Sequence, residues 1–413
     1  MVPGPGADAR NDLTARLAPI GLALAVAAVS LYGAARLDPS DGYDGAAHLA
    51  YAQILEEQGR LPTKEETYQY DSPPGYHWIA VQLHRATGSW RAGQALSAAL
   101  VAGLVVIAWL LARELWPGRP RLWAAAAAAT GALPIAIRMG TMFHPEALNA
   151  FLVGLVILLV VMASRRGWPL RYAVAAGLAL GVAAVTRETA IAVALGVALG
   201  LAVTRERRAL RFAAVSFSAL AVVAGPWWGY QTARFGSPVY TDLVLTERHA
   251  LQGGQPREFY ISAPVEDLVL HPYRPAFAGQ LWPQFHADLW SDWFGGQHGL
   301  WQEAPGAATR VFLSSQSVLG LAFSVVAIAG LWFLRRWPVL LGVVGVTWIG
   351  FVVQLIRFPQ AGGDPIKSSY LLFLAPIFAL AAVEAGRRLP RPLVLAWGGL
   401  YAVSYAGFLA TSW

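Results

Sequence analysis

Long apolar runs alternate with short charged turns along most of the chain. Because about 20 apolar residues in a helix cross a bilayer, the pattern predicts an all-α polytopic membrane protein with eleven spans. The expected spans cover residues 17–37, 93–115, 122–138, 146–164, 171–186, 188–204, 212–232, 308–334, 338–356, 370–386 and 393–411. Three of these runs, at 122–138, 171–186 and 188–204, are short for full crossings.

The composition agrees with a membrane protein. Of the 413 residues, 56% are hydrophobic and 13% are charged, and the mean hydropathy is +0.47. A soluble domain carries roughly a quarter charged residues. The net charge of +7 follows from the basic residues that cytoplasmic loops of membrane proteins collect, so we expect a lipid bilayer and no nucleic acid as partner. The chain has no cysteine, which excludes disulfides and thiol nucleophiles.

The distribution of basic residues predicts the orientation. With the N-terminus in the cytoplasm, the short inner loops hold more than half of the 31 lysines and arginines. The positive-inside rule therefore predicts an N-in, C-out topology, with the first span kept as an uncleaved anchor. We expect a single transmembrane domain over residues 1–413, with long outer segments at 38–92 and 233–307.

The first outer segment begins with the acidic stretch "DPSDGYDGAAHLAYAQ". Asp44 precedes a predicted amphipathic helix, and Asp is among the best N-cap residues. A carboxylate at the membrane boundary can equally be tuned as a general base. Both interpretations of Asp44 remain open at this point, and one residue can serve both purposes. His48 lies four residues later, on the same helix face.

Seven motifs in order resemble those of the GT-C glycosyltransferases. They are "DGYDGAAHLAYAQ", "GRLP", "YDSPPGYHW", "FHPEALNAFL", "GVAAVTRETAIAVA", "GPWWGYQTARFGSPVY" and "KSSYLLFLAPIFAL". The resemblance runs from about residue 17 to 386. This class includes protein O-mannosyltransferases and the aminoarabinose transferase of lipid A. The chain departs from the family pattern at Gly45, where many members have Glu, at Ser72, and at Ser369, where an Arg is usual.

The resemblance implies a membrane glycosyltransferase. It would move a sugar from a polyprenyl-phosphate donor to an acceptor on the outer face, with inversion in one displacement. The acceptor, whether protein, lipid or glycan, stays open. The alanine-rich composition favours a bacterial inner (plasma) membrane.

The same resemblance suggests the residues of the site. Asp44 is the expected base, with Asp41 in reserve. The expected substrate-binding residues are His48, Asp71, His77, Glu146, Arg187, Arg357 and Lys367. Among these, Lys367, Arg187 and Arg357 would contact phosphate, and Arg138 is a weaker candidate for that role.

Each of these roles has a plainer alternative. Glu146 could simply cap the helix that it opens. Arg187 could pair with Glu188 or extend its charged end to the interface. A charge at a tight turn between apolar helices is nevertheless costly, which favours a function for Arg187.

A divalent cation also stays open. His48, His77 and His144 could bind one together with Asp44 or Asp71. Their spacing fits no defined metal pattern, and a lone histidine more often packs or forms hydrogen bonds, so no metal ligand is assigned.

The second outer segment contains "LWPQFHADLWSDWFGGQHGLW", with four tryptophans, two histidines and two aspartates. This composition is typical of an aromatic belt on a surface helix, and alternatively of a lid that stacks tryptophans on substrate. The competing functions are a multipass transporter or flippase and a non-catalytic cell-envelope assembly partner. A transporter should carry charges deep within its spans, whereas here they lie at the span ends.

Overall fold

The computed structural model describes residues 5–240, 255–274, 276–277, 279–293, 295, 305–357 and 366–412. Its elements are helices, and the described residues contain no β-strand. The α-helices are α1 Pro5–Arg36, α2 Gly45–Gln58, α3 Gly75–Thr87, α4 Arg91–Leu115, α5 Pro120–Gly131, α6 Pro134–Thr141, α7 Glu146–Arg165, α8 Leu170–Ala184, α9 Thr189–Thr204, α10 Arg207–Phe235, α11 Arg257–Ile261, α12 Val265–Leu270, α13 Leu281–Trp290, α14 Ala307–Leu331, α15 Pro338–Arg357, α16 Ala375–Gly386 and α17 Arg391–Ser412. Two 3-10 helices, Trp332–Leu334 and Ser368–Leu374, follow α14 and precede α16.

The all-α prediction is confirmed, and every predicted span is helical. Within the described residues, eight helices are long and apolar enough to cross a membrane, and a bent pair would make nine. The helices α8 and α9 are apolar but shorter. The count of eleven spans and the N-in, C-out orientation therefore stay predictions.

The run 122–138 is not one continuous helix. It divides into α5 and α6, which meet at an angle of 60°. Pro134 is the first residue of α6, where its missing N–H costs nothing, but the same ring prevents α5 from continuing. The break makes α6 a separate short helix whose eight residues are all buried.

The membrane helices pack closely where small residues face each other. At Gly200 of α9 the backbone lies so near Val339 of α15 that a Cβ would collide with it. Such close approach is typical of helix pairs in membranes, where packing rather than hydrophobic burial drives association. The segment Ser368–Gly386 is mostly buried, whereas α17 is mostly exposed and presents Leu395, Leu400 and Val403 outward.

Both long segments lie at one end of the bundle, which we call the loop end. It carries residues 37–90, the turn between α8 and α9, and the described parts of 236–306. The helix predicted after Asp44 is confirmed as α2, and α3 is a second helix of this segment. They pack against the protein, since α2 buries His48, Tyr51 and Ala52.

The second long segment is wrongly predicted as a surface helix. Its helix α13 is docked inside the loop end, with Trp290 and the following Trp293 buried. Only Trp282 remains about half exposed, and its indole N–H donates to the carbonyl of Tyr260. Trp301 and His298 lie outside the described residues. A docked helix forms part of the wall of the loop end.

Candidate active site

Asp44 stands where the first long segment turns into α2. Its backbone is left-handed, with φ of 53°, a conformation that Asp tolerates better than most residues. The residue occupies the N-cap position, as predicted, but its side chain makes no capping bond. The cap interpretation of the carboxylate is thus wrong. Instead, Oδ2 accepts from the Lys367 ammonium at 2.7 Å, and Oδ1 accepts from the Tyr68 hydroxyl at 2.9 Å.

This ion pair sets the protonation of Asp44. Burial alone would raise the pKa of the carboxyl, but the ammonium of Lys367 and the hydroxyl of Tyr68 outweigh it and lower the pKa to about 2. Burial likewise works against the charge of Lys367, yet the attraction of Asp44 raises its pKa above the usual range. Both groups are therefore charged at neutral pH.

A second ion pair lies beside the first. Arg187, in the turn between α8 and α9, donates from Nε to Oε1 of Glu146 at 2.7 Å. Glu146 is completely buried at the start of α7. The expected alternative, a pair of Arg187 with its neighbour Glu188, is wrong, because the buried Glu146 carboxylate has the greater need of a partner.

An aromatic ring connects the two cations. The guanidinium of Arg187 lies 5.4 Å from the ring centre of Tyr370, and the Lys367 ammonium lies 6.0 Å from it. Tyr43 offers a further ring 5.7 Å from the same ammonium. Two cations therefore lie at one ring at the loop end, each paired with a carboxylate, and each keeps about 11% of its side-chain surface exposed.

Three buried histidines lie behind Asp44. His48 Nδ1 and His77 Nε2 are 3.0 Å apart, and the ring of His144 stands edge-on to His48 at 4.7 Å. Tyr51 stacks on His77 at 4.0 Å. Burial lowers the pKa of His48 and His144 well below the ordinary value and that of His77 to about 3. The rings are neutral at physiological pH and have lone pairs for a ligand.

Three of these side chains could hold a metal ion. Ligand atoms of Asp44, His48 and His144 lie within 4.8 Å of one another. The Nε2 atoms of His48 and His144 are buried, and neither has a hydrogen-bond partner in the part of the chain that the structure describes. Since His48 can donate from Nδ1 to His77, its Nε2 can present a lone pair, an arrangement usual for zinc ligands. The two imidazoles and one carboxylate fit a cation such as Zn²⁺.

The remaining predicted residues are Asp41, Asp71 and Arg357. Asp41 accepts the backbone N–H of Asp38 at 2.8 Å and so closes the acidic turn. The carbonyl of Asp71 accepts from the Gln231 amide. Arg357 ends α15 with its side chain exposed. Catalytic or binding roles for Asp41, Asp71 and Arg357 stay predictions.

Arg138, the weaker phosphate candidate, is completely buried. It pairs with Asp292 at 2.5 Å and lies 3.5 Å from Asp288, both in the second long segment. It also donates to the Tyr43 hydroxyl at 3.1 Å. The guanidinium is thus engaged within the protein and is not displayed toward a ligand.

The sequence did not single out three further residues near the ion pairs. They are Tyr43, Tyr68 and Tyr370. Tyr370 lies three residues after Lys367 in the same helical turn, a spacing that could have suggested it.

Comparison with known proteins supports the expected resemblance. Residues 71–230 match the family model described as dolichyl-phosphate-mannose-protein mannosyltransferase. A comparison with curated proteins gives no match.

Among solved structures, ArnT from Cupriavidus metallidurans bound to undecaprenyl phosphate is similar to this chain. The TM-score is 0.53 at 19% identity, over 92% of this chain and 61% of that one. The oligosaccharyltransferase of Archaeoglobus fulgidus in complex with Zn and sulfate gives a TM-score of 0.54 at 13% identity, over 95% of this chain and 53% of that one. The chain therefore spans about half to three fifths of these structures. The predicted resemblance to the GT-C class is confirmed in the family match and in the fold.

Proposed function

We propose that the chain is a membrane glycosyltransferase that moves a sugar from a polyprenyl-phosphate donor to an acceptor at the outer face of a bacterial plasma membrane. The observation that supports this most is the contact of Asp44 with Lys367, 2.7 Å apart in space and 323 positions apart in sequence. The reaction needs a base for the acceptor and cations for the departing phosphate, and these two groups are of the required kinds.

Lys367 and Arg187 are the proposed phosphate contacts. Both are charged, both lie over the Tyr370 ring, and both keep part of the side chain accessible. An arginine can bind a phosphate through two N–H groups, and a lysine supplies a point charge. The similar ArnT structure is bound to undecaprenyl phosphate, which supports a polyprenyl carrier for the donor of this chain.

Asp44 is the proposed base, and its activity depends on the donor. While Lys367 holds its pKa at about 2, the carboxylate is a weak base at neutral pH. A donor phosphate beside Lys367 would neutralise part of the ammonium charge, and the pKa of Asp44 would rise toward its ordinary value. The site would thus gain basicity when the donor is bound.

The chemical step follows from these placements. The acceptor atom attacks the anomeric carbon, while Asp44 takes the proton from that acceptor. The bond between the anomeric carbon and the phosphate oxygen breaks, and the electron pair leaves with the phosphate, toward Lys367 and Arg187. A single displacement of this kind inverts the configuration of the sugar.

Asp44, His48 and His144 are the proposed ligands of a divalent cation. When bound, such an ion would polarise phosphate oxygens and offset their charge. The neutral state of both histidines and the proximity of their ring nitrogens to Asp44 support this assignment. The similar oligosaccharyltransferase structure is a complex with Zn, which supports a cation in this fold.

The test is sugar release from radiolabelled polyprenyl-phosphate sugars by the purified protein, compared with Asp44→Asn. Asn tolerates the left-handed backbone but removes the negative charge that would take the proton and that pairs with Lys367, so we expect turnover to fall about 10³-fold. Asp41→Asn is the matched control and should keep wild-type turnover. Release after chelation and after re-addition of Zn²⁺, Mn²⁺ or Mg²⁺ tests the cation separately.

Two outcomes would contradict the proposal. Donor binding without release by the wild-type protein, equal in Asp44→Asn, would favour a transporter or a non-catalytic partner. Loss of turnover in Asp41→Asn but not in Asp44→Asn would transfer the base role to Asp41.

A further inference from the structure

Asp288 of α13 connects two distant parts of the loop end. Its side chain is completely buried, and both carboxylate oxygens are used. Oδ1 accepts from the Tyr43 hydroxyl at 2.5 Å. Oδ2 accepts from the backbone N–H of Ser368 at 2.7 Å and from its hydroxyl at 2.6 Å. One carboxylate therefore receives three hydrogen bonds.

The donors to Asp288 are the chain neighbours of the proposed catalytic pair. Tyr43 directly precedes Asp44, and Ser368 directly follows Lys367. Consecutive Cα atoms are fixed about 3.8 Å apart by the rigid peptide unit. A bond that holds Tyr43 and Ser368 to one carboxylate therefore also fixes the separation of Asp44 and Lys367.

The Arg138 guanidinium contacts Asp288 and the groups around it. It lies 3.5 Å from Oδ1 of Asp288, 3.1 Å from the Tyr43 hydroxyl and 2.5 Å from Asp292, and it also donates to the Asp288 carbonyl. All three charged side chains are fully buried. Buried polar groups become rigid and specify a single arrangement where their hydrogen bonds are satisfied, as they are at both carboxylate oxygens of Asp288.

We propose that Asp288 is a positioning residue that sets the contact of Asp44 with Lys367 by holding Tyr43 and Ser368 together. The inference rests on the proposed function for its catalytic consequence. Asp288 itself does not touch the reacting atoms. An aspartate is required because three bonds arrive at two anionic oxygens, whereas the side chain of Asn offers only one acceptor oxygen.

The first experiment measures the geometry without any turnover. The chain has only two lysines, Lys64 and Lys367, and Lys64 is exposed, so it serves as an internal reference. Amine labelling followed by peptide mass spectrometry gives the ratio of modification at Lys367 to that at Lys64. This ratio should be low in the wild-type protein, because the Lys367 amine is charged and paired with Asp44.

In Asp288→Asn the labelling ratio should rise about tenfold, because the loss of charge-assisted bonds at Ser368 frees Lys367 from Asp44. Asp267→Asn is the matched control, since Asp267 lies in the same segment with its side chain about half exposed. It should leave the ratio unchanged. An unchanged ratio in folded Asp288→Asn overturns the proposal.

The second experiment measures kinetics. Turnover at saturating donor should fall about 100-fold in Asp288→Asn, as expected for misplaced reacting groups. Ser368→Ala removes one side-chain bond to Asp288, and Tyr43→Phe removes two, the bond to Asp288 and the bond from Arg138. Both variants leave Arg138 paired with Asp292. Each variant should lower turnover and raise the labelling ratio when Asp288 is present. Combined with Asp288→Asn, each should have little further effect. Additive effects would mean that Asp288 does not act through these residues.

The two experiments separate this inference from the proposed function. No sugar release by the wild-type protein, with a raised labelling ratio in Asp288→Asn, would overturn the enzymatic role and keep the positioning role. Normal release with an unchanged ratio would overturn only the positioning role. Thermal unfolding shows whether Asp288→Asn is folded. If it is not, the labelling ratios of Tyr43→Phe and Ser368→Ala test the positioning role instead.

Discussion

Two clusters of carboxylates and cations lie next to each other at the loop end and differ in exposure. In the first, Asp44 and Lys367 keep 22% and 11% of their side-chain surface accessible. In the second, Arg138, Asp288 and Asp292 keep none. The two are joined through the chain, because Tyr43 precedes Asp44 and Ser368 follows Lys367.

The difference shows how the same chemistry serves two purposes. A partly exposed pair can exchange one partner for a ligand phosphate at modest cost. A fully buried cluster cannot, since removing one member strands a charge in a low-dielectric interior. We therefore expect changes in the buried cluster to act on stability and, through Asp288, on the geometry of the exposed pair, whereas changes in the exposed cluster act on ligand binding.

The largest expected effect is on stability, from Arg138→Gln. The change leaves two buried carboxylates without their cation and should lower the free energy of unfolding by about 3–5 kcal/mol. Thermal or denaturant unfolding in detergent measures it. Arg121→Gln, at an exposed site, is the control. An Arg138→Gln protein as stable as wild type would show that the buried cluster is not structural.

The docked helix α13 contains a buried histidine, His286, whose burial makes the stability of the protein depend on pH. Burial lowers the pKa of His286 to about 4 from an ordinary 6.5, so the unfolded chain takes up a proton before the folded protein does. As the pH falls from 6.5 to 4, the free energy of unfolding should fall by up to about 1.4 kcal/mol per pH unit, about 2–3 kcal/mol over that range, through this group.

The free energy of unfolding of the wild-type protein and of His286→Gln, measured over that pH range, isolates the contribution of His286. The wild-type protein should lose more stability on acidification than the variant does. His271→Gln, at a half-exposed site, is the control for the substitution itself. Parallel curves for wild type and His286→Gln would contradict the assignment.

The membrane helices could be predicted from sequence because their cause is local. Apolar length and flanking charge decide them, and all eleven expected runs are helical. The break in the third run depends on Pro134, a residue that is equally compatible with a kinked single helix. Whether the run bends or breaks at this proline depends on the packing of α6, whose residues are all buried.

The site was only partly predictable for a different reason. Asp44, Lys367 and Arg187 stand at helix ends in motifs that mark them as candidates. Their partners are set by tertiary contacts, Lys367 with Asp44 across 323 positions and Arg187 with Glu146 across 41, which spacing along the chain does not encode. The docking of α13 was missed because a tryptophan-rich helix looks the same whether it meets lipid or protein.

A moderate effect on binding is expected from Lys367→Gln. Loss of one charge-assisted phosphate contact should weaken binding of undecaprenyl phosphate roughly 30-fold. Stability should fall less than in Arg138→Gln, because Asp44 keeps 22% of its side-chain surface accessible to water. Equilibrium binding in detergent measures the affinity. Lys64→Gln, at the only other lysine, is the control. Unchanged affinity in Lys367→Gln would remove this residue from the phosphate site.

The smallest effect is expected from Arg357→Gln. Arg357 is a phosphate candidate by resemblance, yet its side chain is exposed at the end of α15, where water and salt screen its charge. Its loss should weaken undecaprenyl phosphate binding about threefold, with a larger effect at low ionic strength than at high. A loss as large as that of Lys367→Gln, and independent of salt, would mean that Arg357 contacts the phosphate directly. The phosphate-binding site would then extend to the end of α15. The exposure of a side chain would in that case not be enough to tell a ligand-binding charge from a solvated one.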